Sequence, residues 1–97
     1  MTTEEMHALF EKHADASHRF DLVETKKSSR PDLHAFLLLE ELCPSDEDLI
    51  SASEHDEIYF SVSPEELAEV VTEDLVLELR RCGVRYDRGL SSMMMYT

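Results

Sequence analysis

The chain has 97 residues, with 22 Asp or Glu against nine Lys or Arg, and a formal net charge of −13. A charge of that sign repels nucleic acid and anionic lipid, and it steers the protein toward basic surfaces over a Debye length of about 8 Å. With 42% hydrophobic residues and only two Gly, the chain holds enough apolar material for one core, so a single small acidic domain over residues 1–97 is expected, not disorder.

Thr2 and Glu5 form a T-x-x-E capping box, and Met6, Leu9, Phe10 and Ala14 follow at helical spacing, which predicts a first helix ending near Ser17. Phe20, Leu22 and Val23 read as a short extended segment, followed by the polar loop KKSSRP. Ser29 is the expected cap of a second helix with Pro31 in its first turn. In that helix Ala35, Leu38, Leu39, Leu42 and Cys43 make one apolar stripe, and Leu33, Phe36 and Leu37 a second, so a helix packed on more than one side and ended by Pro44 is expected.

LISAS, EHDE and IYFSVS read as a hairpin in which Ile58, Phe60 and Val62 share the buried face. Ser63-Pro64-Glu65-Glu66 places an N-cap, a first-turn Pro and a Glu at the third helical position, and Leu67, Val70 and Val71 are expected to face inward. Thr72 starts a further helix with Glu73 and Asp74 at its positive end and Arg80 and Arg81 at its negative end; Leu75, Val76 and Leu79 bury, and Gly83 closes it. VRYDRGLSSMMMY reads as a second hairpin turning near Asp87 to Gly89. The expected fold class is α+β: four short helices and a small, mainly antiparallel sheet made of two hairpins.

No reaction is announced. Counting Asp46 as the first position of a calcium loop puts Asp48 third and Glu57 twelfth, but Ile50 and Ser51 stand where an oxygen ligand and a turn-forming Gly are needed. Glu54, His55, Asp56 and Glu57 point in alternating directions, and His7, His13, His18 and His34 show no metal-ligand pairing. Cys82 sits at a helix C-terminus, which disfavours a thiolate, and Cys43 ends an apolar stripe, so both are expected to be reduced packing residues. Met93, Met94 and Met95 alternate on a strand and read as filler. No catalytic residue, metal or cofactor is therefore expected. The longest apolar run, Ala35 to Leu39, is far below the roughly 20 residues of a membrane span. The acidic start MTTEEMHALFEKH lacks the basic n-region of a secretory signal, and a cytoplasmic location is expected.

Charge distribution is the remaining signal. Residues 31 to 79 contain fifteen Asp or Glu and no Lys or Arg. A surface shaped for solubility alone intersperses both signs. Carboxylates spaced a few ångströms apart imitate the phosphate array of a duplex, which carries one charge per ~1.7 Å of axis. The segment SEHDEIYFSVSPEELAEVVTEDLVLELRRCGVRYD resembles the small acidic proteins encoded by bacteriophages and prophages. That resemblance implies an inhibitor of host defence, of the anti-CRISPR or DNA-mimic kind, acting in the host cytoplasm. The expected function is a non-enzymatic inhibitor, monomeric or homodimeric, that presents Asp46, Glu47, Asp48, Glu54, Asp56, Glu57, Glu65, Glu66 and Glu69 to a basic nucleic-acid-binding surface. The alternatives are an assembly subunit contacting its neighbours through Tyr59, Leu90 and an edge from Met93 to Tyr96, or a small metal-binding enzyme.

Overall fold

A computed structural model describes residues 1–17 and 19–96, so the reading of His18 lies outside the described residues. The first helix, α1 (Thr3–Lys12), starts where the capping box predicts: Thr2 Oγ1 accepts from the Glu5 N–H, and Glu5 Oε1 accepts from the Thr2 N–H. It ends at Lys12, earlier than expected, and a 3-10 turn (Ala14–Ala16) leaves Ala14 exposed while Met6 and Phe10 enter the core. Phe20–Leu22 is a 3-10 turn, not an extended segment; three residues are too few for spacing to decide, and the Phe20 ring instead packs edge-on against His34.

The second helix, α2 (Pro31–Leu42), carries Pro at its first position as expected, but its cap is Arg30, without a side-chain hydrogen bond. A residue preceding proline is pushed into extended backbone, so Arg30 takes the half-in position and Ser29 falls outside the helix. Ala35, Leu38 and Leu39 are buried, whereas Leu33 and Leu37 remain 42% and 43% exposed, which corrects the expected second packed stripe. The buried residue missed on α2 is His34. Its Nδ1 accepts from the Lys27 N–H (3.1 Å) and its Nε2–H donates to Glu78 (2.9 Å), so the neutral ring is satisfied at both nitrogens.

Strands β1 (Ile50–Glu54) and β2 (Glu57–Phe60) form the expected hairpin, closed by His55 at φ 49°, a left-handed conformation for which His is enriched. Helix α3 (Pro64–Val70) is capped by Ser63, whose Oγ accepts from the Glu66 N–H. Leu67, Ala68 and Val71 are buried, and Val70 is exposed: in this two-turn helix Ala68 occupies the inward position expected of Val70, and Val71 turns in only as the extended C-cap. Helix α4 (Glu73–Arg81) starts from Thr72, whose Oγ1 accepts from the Leu75 N–H, and ends at Gly83, whose φ of 99° suits a residue without Cβ.

Strands β3 (Val84–Asp87) and β4 (Ser92–Tyr96) make the second hairpin, and the antiparallel sheet runs in the order β1-β2-β4-β3. The fold is thus α+β with four helices and four strands among the described residues. Because β4 is an inner strand, Met93, Met94 and Met95 are buried and offer no edge, which corrects the Met93-to-Tyr96 edge expected of an assembly subunit, while Leu90 and Tyr96 themselves are exposed. Ile58, Phe60, Val84, Met93 and Met95 share the core face with the helices, and the register Tyr59-Met94-Arg85 puts those three on the opposite face. The Arg85 guanidinium lies 5.3 Å from the Tyr96 ring centroid on that face. No helix among the described residues is long and apolar enough to cross a membrane.

The two sides of α2 give a direct check of this packing. Leu39→Ala should lower unfolding free energy by about 2–5 kcal/mol in urea denaturation, because Leu39 is fully buried. Leu37→Ala should stay within about 0.5 kcal/mol. Equal losses would contradict the assignment of the core side.

Candidate functional site

Six carboxylates have a Lys, Arg or His partner within 4.0 Å among the described residues: Glu11, Asp21, Asp32, Glu41, Glu73 and Glu78. Lys12 (2.9 Å) and His13 (2.8 Å) converge on Glu73 at the α1–α4 seam and hold its carboxyl below the usual range. Lys27 pairs with Glu41, which ties the loop before α2 to the helix. None of the nine carboxylates expected to contact a partner has such an ion pair among the described residues.

Those nine do not form one cluster. Glu47, Asp48 and Glu66, joined by Glu40, line a cleft of about 540 Å³ whose apolar lining includes Phe36, Leu37, Leu49 and Val62. Glu40 comes from the last turn of α2, the two loop carboxylates from the α2–β1 connection, and Glu66 from the first turn of α3. Three hydrogen bonds position the loop. Ser45 Oγ accepts from the Glu47 N–H at 3.1 Å, and Ser61 Oγ donates to the Asp48 carbonyl while the Ser61 N–H donates to the Leu49 carbonyl at 2.7 Å. Ser61 directly follows β2, so the hairpin itself brings Asp48 toward the start of α3.

The other carboxylates stand elsewhere. Asp46 belongs to the same loop but does not line the cleft, and Glu65 and Glu69 are exposed on α3, with Glu65 accepting from Ser63 Oγ at 3.0 Å. Glu54, Asp56 and Glu57 sit at the β1–β2 tip, roughly 13 Å from the Asp48 end of β1 at ~3.3 Å per strand residue. There Glu57 accepts from the Tyr59 hydroxyl, which pushes the phenol pKa up to about 12.

Glu40 was missed as a site residue although it lies four residues after Phe36 and three after Leu37, the spacing that puts all three on one helical face. The apolar lining was missed because Leu37 reads as core in the sequence. The C-terminal end of α2 has no basic residue in its last turn, so its dipole adds negative potential beside the same cleft.

Among the described residues, no three or more His, Cys, Asp or Glu side chains are grouped to hold a metal ion. Cys43 and Cys82 are free thiols. Burial, aided by Glu78, pushes Cys82 up to about 12, and burial together with Glu66 raises Cys43. Neither environment favours the thiolate that nucleophilic chemistry needs. Comparison of the chain with protein-family models, with curated proteins and with solved structures found no match.

The thiols provide a chemical readout. In native protein at pH 8, iodoacetamide should leave Cys82 unmodified by mass spectrometry and label Cys43 slowly, with both reacting once urea unfolds the chain. Stoichiometric labelling of Cys82 in the native state would contradict its burial.

Proposed function

We propose that this protein is a non-enzymatic inhibitor that binds a basic, nucleic-acid-binding surface of another protein through the carboxylates around the α2–α3 cleft. The observation that carries the reading is the convergence of Glu40, Glu47, Asp48 and Glu66 on one cleft, with no Lys or Arg in its lining among the described residues. Uncompensated carboxylates repel one another and lower stability, so a surface that keeps them together gains by meeting positive charge on a partner. The apolar floor suits the aliphatic stem of an inserted Lys or Arg, whose head then reaches the rim.

In this reading Glu54, Asp56, Glu57, Glu65 and Glu69 extend the field that guides the encounter, while the cleft makes the close contacts. The resemblance to phage-encoded inhibitors supplies the finer proposal: the target is a host defence complex such as a CRISPR effector, and the inhibitor acts as a DNA mimic in the host cytoplasm.

A pull-down from bacterial lysate should recover a nucleic-acid-binding complex at low salt and lose it at high salt, since screening weakens exposed charge pairs. Against that partner, combined Asp46→Lys, Glu47→Lys and Asp48→Lys should weaken binding by about tenfold or more. Glu54→Lys with Asp56→Lys should mainly slow association. A salt-insensitive complex would sink the electrostatic reading.

A further inference from the structure

A second cavity, of about 640 Å³, opens near the N-terminal end of α2 and has the opposite character. Phe20, Ile58, Met95 and Tyr96 give it apolar walls, and Arg81 and Arg85 line it together with Asp32, its one carboxylate among the described residues. Asp32 lies 3.9 Å from Arg30, whereas neither Arg81 nor Arg85 has an ion pair within 4.0 Å among the described residues. The Arg81 Nε is buried and has no hydrogen-bond partner among the described residues. A buried donor of that kind is costly unless an acceptor reaches it. Burial and the nearby Arg85 also lower the pKa of Arg80 against the opposing pull of Glu11, so among the described residues positive charge predominates at this corner of a strongly acidic protein.

The end of α2 adds an independent contribution. Its cap, Arg30, makes no side-chain hydrogen bond, and Pro31 has no N–H, so the first-turn amides of Asp32 and Leu33 have no side-chain cap. Such amides, with the positive end of a twelve-residue helix dipole behind them, attract an anion. The volume and mainly apolar walls match those of small-ligand sites, in which a few polar groups fix orientation. A multiply charged phosphate would meet Asp32 and the net charge of −13, and it would leave the apolar walls unused. A monoanion with an apolar body uses both features.

We infer that this cavity binds a small amphipathic carboxylate, its apolar body against Phe20, Ile58 and Met95 and its carboxylate on Arg81 beside the first turn of α2. Arg85, lying over the Tyr96 ring, flanks the ligand.

The test is an amide correlation NMR titration of the full chain with phenylacetate, 4-phenylbutyrate and decanoate, and with 2-phenylethanol and phenethylamine as shape-matched controls. At least one carboxylate should give saturable shifts at the Asp32, Leu33 and Gly83 amides, and the alcohol and amine should not. Arg81→Gln should weaken that binding about tenfold or more, the worth of one charged hydrogen bond. If the Arg81→Gln spectrum shows a disturbed fold, Arg85→Gln carries the same comparison. Equal binding of the alcohol, saturable shifts confined to other amides, no saturable shifts from any of the three carboxylates, or unchanged affinity in a folded arginine variant would overturn the inference.

Discussion

Nine cations must serve twenty-two carboxylates, and this shortage governs the arrangement of the molecule. Two of the lysines stand at seams of the fold. Lys12 and His13 fasten α1 to α4 through Glu73, and Lys27 fastens the loop before α2 to Glu41. In the interior His34 joins α2 to α4 through Glu78 and takes the Lys27 N–H on its other nitrogen. Exposed pairs of this kind contribute little each because solvent screens them, so cohesion comes from the buried Met6, Phe10, Leu39, Leu67, Leu79 and Met93. What the pairs do is decide which carboxylates stay uncompensated.

The consequence is a polarity along α2. Its C-terminal end opens on the cleft of Glu40, Glu47, Asp48 and Glu66, where the helix dipole adds to the negative field. Its N-terminal end opens on the cavity of Arg81 and Arg85, where the dipole adds to the positive one. Both sites combine apolar walls with charged rims, so each favours an occupant with an apolar stem and a single charged head. The two heads are of opposite sign. A protein read only by its net charge would be assigned one kind of partner, whereas we propose two.

Local signals in the sequence were sufficient wherever structure is decided within a few residues. The capping box at Thr2, the Ser63-Pro64 start of α3, the Thr72 cap and the left-handed Gly83 each appear where their chemistry places them. Failures occurred where tertiary context decides. Leu33 and Leu37 satisfy a helical stripe but stay exposed, and His34, on that same helix, is buried because Lys27 and Glu78, seven residues before and forty-four after it, satisfy its ring. The methionines read correctly as filler, yet a strand's position inside or at the edge of a sheet depends on pairing that no local pattern encodes. The candidate site was half legible. The cation-free run was plain, but the meeting of Asp48 with Glu66 depends on Ser61 holding the loop, and the division between cleft and hairpin tip follows from the length of β1.

The most direct measurement of the central claim is zero-length carbodiimide cross-linking of the captured complex, read out by peptide mass spectrometry. This chemistry joins a carboxylate to a lysine in contact with it, so it reports which acids touch the partner. The account predicts cross-links at Glu40, Glu47, Asp48 and Glu66 that vanish at high salt. Cross-links confined to Glu54, Asp56 and Glu57, or a stable complex with none at the cleft, would contradict it.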